Sequence, residues 1–201
     1  MQLYDFPQSP NCRRVRIYLA EKGLNIPLKA VDLLSSEQRK PDFLQRNPFG
    51  AVPMLELDDG SVIPESLAII EYLEELHPDP PLFGPTPFER ALVRVWERRA
   101  ELGILLQGTR RFLHSNPYFA SRVEQSPKVV EEAGKVLTER LSLFNDHLEA
   151  NEWLAGPFSV ADIMLFVAVE FAARSDFQLD SAWKHLQRWY GTVKKRPSAD
   201  V

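Results

Sequence analysis

Cysteine is all but missing from this 201-residue chain. Cys12 stands alone, which excludes an intrachain disulfide framework. Glycine is scarce, at 9 residues, so long flexible Gly-rich linkers are excluded as well. Excess positive charge is lacking too. With 24 Lys and Arg against 28 Asp and Glu, the net charge is −4, which argues against a surface built for nucleic acid or anionic membranes. No Asn-x-Ser/Thr sequon occurs. The longest uncharged apolar run, from Ile163 to Val169, is far below the ~20 residues that cross a bilayer. The histidines, at 77, 114, 147 and 185, have no ligand spacing, so no metal is expected. The first residues carry Asp5, then Arg13 and Arg14, and no apolar stretch, so they do not read as a secretory signal. A cytoplasmic protein that engages neither nucleic acid nor membrane is expected.

What is present is ordinary globular material, 44% hydrophobic, and 16 prolines that act as rigid punctuation. The length allows one domain or two small ones. Up to about residue 80, short β-type runs alternate with helical ones: strand at 2–6, helix at 11–22 ending at Gly23, strand at 27–32, polar helix at 36–46, a hairpin of 53–57 and 61–63 about Asp58-Asp59-Gly60, and helix at 65–76. Beyond the proline cluster only helical spacing survives, at 88–112, 127–150, 160–171 and 182–193, with the third apolar nearly all round and therefore central. The expected fold is an α+β domain over residues 1–77, a stiff linker at 78–86, and an all-α domain at 87–201. Residues 1–80 hold 8 Lys and Arg against 13 Asp and Glu, and residues 81–201 hold 16 against 15, a difference too mild to mark a polyanion site.

Four segments stand out, each with two readings. Ser9-Pro10-Asn11-Cys12 joins the first strand to the first helix. Ser9 either caps the helix or donates its hydroxyl to an anion held at the positive helix end, with the amides around Asn11 adding to the field. In Gly50-Ala51-Val52-Pro53 the proline is either an ordinary strand entry or a cis bond that leaves the Val52 backbone to pair with an extended ligand. Pro64-Glu65-Ser66 opens the third helix; the pair either caps it or grips an amino-acid head group, Ser66 on the carboxylate and Glu65 on the ammonium. Ser159-Val160-Ala161-Asp162 is a capping-box pattern ahead of an apolar helix and reads as structural. Cys12 reads as a buried structural thiol, with a redox-active one as the alternative.

Taken in order, the strand–SPNCR–helix, the NPFGAVP turn, the PES helix start and the SVAD box resemble the cytosolic glutathione transferases over the whole chain. Ser9, Cys12, Arg13 and Val15 match the serine-type delta and theta pattern, and the run from Arg14 to Gly23 is similar to the zeta class. That resemblance implies a thioredoxin-like first domain, a helical-bundle second domain, a homodimer, and glutathione as co-substrate for conjugation to a small hydrophobic electrophile, a detoxification chemistry. It places Ser9 on the glutathione thiolate, Val52 on the cysteinyl backbone, Pro53 as the cis-proline, and Glu65 and Ser66 at the γ-glutamyl end. It also puts Arg98, Arg99, Leu102 and Leu105 on the helix that lines the second-substrate pocket and the dimer interface. The pattern is not complete. Delta-type relatives carry a histidine where this chain has Gly50 and an arginine where it has Leu67, leaving Asn11, Arg13 or Arg46 to hold those ends of glutathione. Zeta-class enzymes carry serine and cysteine where this chain has Pro10 and Asn11. Glutathione-dependent isomerisation or reduction, and a non-catalytic protein-binding role of the stringent-starvation type, are the alternatives.

Overall fold

Strand β1 (Gln2–Asp5) is buried on both faces, with Leu3, Tyr4 and Asp5 all nearly inaccessible, because it runs through the middle of a mixed sheet. The computed structural model describes residues 1–201 and divides them into two units, Met1–Pro80 with Pro197–Val201, and Pro81–Arg196. In the first unit β1 pairs in parallel with β2 (Leu28–Ala30) and antiparallel with β3 (Met54–Glu56), which pairs antiparallel with β4 (Val62–Pro64), giving the order β2-β1-β3-β4. Helix α1 (Pro10–Lys22) follows β1 and ends at Gly23, whose φ of 63° is the left-handed cap that glycine supplies readily. It packs on α3 (Ser66–Leu76). Phe43 of α2 (Pro41–Arg46) joins Tyr4, Cys12, Val31, Val52 and Met54 in one apolar cluster.

The polar helix expected over 36–46 is split in two. Lys40 precedes Pro41 and is extended (φ −68°, ψ 148°), because a residue before proline is pushed out of the helical region. A 3-10 turn at Glu37–Arg39 therefore precedes α2, which restarts with Pro41 in its first turn.

The second unit holds only helices. Helix α4 (Pro87–Ala100) passes through a π turn, Glu101–Leu105, into α5 (Leu106–Ser115). The single helix read over 88–112 is thus continuous in direction but carries a bulge. α6 (Pro127–His147), α7 (Val160–Ala173) and α8 (Lys184–Lys194) complete it, and α7 is buried nearly all round. No helix is long and apolar enough to cross a membrane.

The boundary between the units, between Pro80 and Pro81, falls inside the expected linker at 78–86. Lys22 Nζ donates to the His77 and Pro80 carbonyls at 2.7 and 2.6 Å, holding that stretch to the first unit. Leu82 and Phe83 are buried in the second unit, where Val160 N–H donates to Leu82 O at 3.0 Å. The chain end also leaves the helical unit: Arg13 donates to Ala199 O at 3.0 Å and Ser198 Oγ to Glu21, so the 3-10 turn Pro197–Asp200 packs on α1.

Candidate functional site

Sheet register brings the three singled-out segments of the first unit to one end. Met54 pairs with Tyr4 on one side and Pro64 on the other. Val52-Pro53 immediately precedes Met54, and Glu65-Ser66 immediately follows Pro64. β1 leaves the sheet at the same end, and Ser9 stands on the turn that follows it, its N–H donating to Phe6 O at 2.9 Å. Residues separated by more than fifty positions thus share one edge of the fold.

Ser9 is the N-cap of α1, half-buried, with Oγ accepting the Cys12 N–H at 3.3 Å. Both of its readings remain compatible, because accepting from a backbone amide uses a lone pair and leaves the hydroxyl hydrogen to donate. Cys12 is fully buried, accepts the Phe6 N–H through Sγ at 3.4 Å, and burial pushes its thiol up to about 12. Burial therefore favours the protonated thiol, as expected of a structural cysteine. Asn11, in the first turn of α1, has a buried Oδ1 with no hydrogen-bond partner in the protein.

The Val52–Pro53 bond is cis. The turn leading to it is built by Asn47, a buried residue that the sequence reading passed over. Its Nδ2 donates to Ala51 O at 2.9 Å, its Oδ1 accepts the Phe49 N–H at 3.2 Å, and its carbonyl accepts the Gly50 N–H at 2.9 Å. None of these bonds uses the Val52 backbone. Its side chain is buried in the cluster of Tyr4, Phe43 and Met54. Gly50 has φ +58°, and a Cβ there would come within 2.8 Å of the Gln38 carbonyl and 3.1 Å of Leu44. A histidine at this position, as in the delta-type pattern, has no room here.

Glu65 is exposed and takes φ 69°, ψ 115°, with no side-chain cap bond, so its carboxylate is not spent on the helix. A non-glycine residue in that region is strained by ~1–3 kcal/mol, a feature that clusters at ligand sites. Ser66 is the first residue of α3 and is buried, and its Oγ accepts from Arg14 Nε at 2.6 Å. The cations considered for the other ends of glutathione are turned elsewhere: Arg13 to Ala199 O, and Arg46 to Tyr4 and Glu56, the latter at 3.0 Å.

In the second unit, Arg98, Arg99 and Leu102 border a groove of about 670 Å³ with Trp96, Leu143 and Phe144. Leu105 does not join them; it lies at the end of the π turn and is buried. The Ser159-x-x-Asp162 box forms as read, and Asp162 is fully buried beneath it. No three His, Cys, Asp or Glu side chains come together in a metal-holding group.

Residues 3–81 match the family model for the glutathione S-transferase N-terminal domain, and residues 95–197 match that for the C-terminal domain. Glutathione S-transferase 2 of Saccharomyces cerevisiae is 36% identical over 204 residues, covering 98% of this chain and 87% of that protein. The crystal structure of Gtt2 from the same yeast superposes with a TM-score of 0.92 at 35% identity, covering 100% of this chain and 99% of that one. A glutathione S-transferase domain-containing protein of Marinobacter aquaeolei gives 0.92 at 36%, over 99% and 100%. A maleylacetoacetate isomerase of Pseudomonas aeruginosa is 45% identical over 96 residues, 47% of this chain and 45% of that one. With both halves matched in order, on a thioredoxin-like sheet followed by a helical unit, this chain belongs to the glutathione S-transferase family.

Proposed function

We propose that the sheet end carrying Ser9, Val52, Pro53, Glu65 and Ser66 binds glutathione and that the protein conjugates it to a small hydrophobic electrophile. The register that brings these residues together carries the reading. Ser9 donates its hydroxyl to the glutathione thiolate. The Val52 backbone, presented by the cis Pro53 turn, pairs with the cysteinyl unit. Ser66 and the amides opening α3 hold the γ-glutamyl carboxylate, while Glu65 takes its ammonium. Asn11, with its buried and unpartnered Oδ1, offers a further acceptor beside the thiol end. Because Cys12 is buried and protonated, the working thiolate arrives with glutathione.

Calorimetric titration with glutathione tests the site. Glu65→Ala weakens binding about tenfold by removing one charge-assisted contact, and binding of cysteinylglycine, which has no γ-glutamyl group, is unchanged. Absence of any heat with glutathione favours the protein-binding alternative. The match to a maleylacetoacetate isomerase favours glutathione-dependent isomerisation as a second reading, and a panel of electrophiles and cis-alkenes separates the two.

The functional unit is a homodimer. Leu102 and Leu143 are 50% and 53% exposed on the groove of the helical unit, apolar surface that a second copy would cover. Sedimentation velocity is expected to return about twice the 23.0 kDa chain mass, and a single-chain mass at every concentration rejects the dimer.

A further inference from the structure

We propose that Arg14 is a positioning residue for glutathione, fixing the Ser66 hydroxyl as the donor that meets the γ-glutamyl carboxylate. The inference rests on the glutathione reading of the site given above. Arg14 and Ser66 are 4% and 2% exposed, and the Nε–H to Oγ distance is 2.6 Å. A guanidinium has five donors and no acceptor, so Ser66 must offer it a lone pair. The same positive charge repels the hydroxyl hydrogen, which therefore points away from Arg14. A serine that is free to rotate can present either a donor or a lone pair to a ligand; this one is held as a donor. That state suits a carboxylate and not an ammonium, and it divides the labour between Ser66 and the acidic Glu65 beside it.

The surroundings reinforce the bias. Ser66 is the first residue of α3, where unpaired backbone N–H groups and the positive end of the helix dipole already favour an anion. Burial keeps water from competing for the Arg14–Ser66 hydrogen bond, so the lone pair stays committed to the guanidinium. Its neighbours on α1 face other tasks, Arg13 toward Ala199 O and Arg16 toward Asp5 at 2.6 Å. Arg14 acts on glutathione through Ser66, and therefore on binding, not on chemistry.

A double-mutant cycle tests this, with glutathione Kd measured for the wild type, Arg14→Met, Ser66→Ala and the double variant. Each single change is expected to weaken glutathione about tenfold, and the double variant is expected to be no weaker than Ser66→Ala within about twofold. Arg14→Met raises the KM for glutathione and leaves kcat at saturation within about twofold, and cysteinylglycine binds as in the wild type. Additive losses, or wild-type affinity in Arg14→Met, overturn the proposal while leaving the site reading intact. A Ser66→Ala variant with wild-type affinity overturns both. If Arg14→Met does not fold, Arg14→Lys keeps the buried charge but cannot reproduce the Nε geometry. Weakening of glutathione seen with Ser66 but not with Ser66→Ala supports the proposal, and equal weakening in both backgrounds overturns it.

Discussion

Ser9→Ala is expected to cut turnover with an aryl halide about a hundredfold while leaving glutathione Kd within about threefold. A free thiol titrates near ~8.5, and bringing it below neutral pH takes a shift of about two units, roughly 2.7 kcal/mol. One charge-assisted hydrogen bond from Ser9, with the field at the start of α1, is of that size. Geometry allows it, because the Cys12 amide occupies a lone pair of Oγ and leaves the hydrogen available. In the variant the rate-against-pH curve moves up by about one to one and a half units, since the hydroxyl is lost while the field at the start of α1 remains. Losing the cap also lowers stability by about 1 kcal/mol, too little to unfold the protein. Ser9→Thr, which retains a hydroxyl and a cap, restores most of the rate. Equal turnover in Ser9→Ala removes Ser9 from the mechanism and leaves the family assignment untouched.

Much of this site was legible because its signals are local. Pro53 at a strand entry, Glu65-Ser66 at a helix start, and Ser9 ahead of Pro10 each follow from what a proline or a helix end does to the backbone within a few residues. The division into a mixed sheet and a helical half was legible for the same reason, since hydrophobic spacing changes character at the proline cluster. What escaped depends on contacts distant in sequence. Arg14 carries no signal of its own in an Arg-rich helix. It is buried because α3 lies across it and Ser66 accepts its Nε–H.

Lys22 is the same kind of case. Its ammonium is enclosed by Glu74 at 2.7 Å and by two carbonyls of the segment leading to Pro80, while Tyr18 donates to Glu74 at 2.9 Å. Nothing in the helical spacing of α1 separates a lysine that snorkels to water from one that ties two helices and a turn together. Asn47 was missed for another reason: Asn-Pro reads as a turn start, and that reading hides the three hydrogen bonds that shape the approach to Val52. At Gly50, the φ of +58° and the 2.8 Å that would separate an added Cβ from Gln38 O show that this turn is built around the absence of a side chain.

Asp162→Ala is expected to destabilise the protein by about 3–5 kcal/mol, seen as a fall in the urea midpoint. Its buried carboxylate accepts from Leu154 N–H at 3.1 Å, Trp189 Nε1–H at 2.9 Å, Ser159 N–H at 3.0 Å and Ser159 Oγ–H at 3.1 Å. Alanine strands three buried N–H donors that join α7 to α8 and to the loop before it, each costing about 1–3 kcal/mol when unpaired. A loss below about 1 kcal/mol would show that water takes over those donors. The same carboxyl carries a pH signature. Burial raises it to about 6 against the opposing hydrogen bonds, whereas the unfolded chain titrates near ~3.9. The native state therefore holds the proton more tightly. Its contribution is fully present below about pH 4 and is lost, by about 2–3 kcal/mol, as the pH rises through 6. The Ser159 hydroxyl accommodates both forms, because it can reverse from donor to acceptor when the acid is protonated. Asp162→Asn cannot titrate and turns an amide toward donors. The stability gap between wild type and Asp162→Asn is therefore expected to widen as the pH falls from 7 to 4, and a gap independent of pH would mean that this carboxyl titrates alike in the folded and unfolded chain.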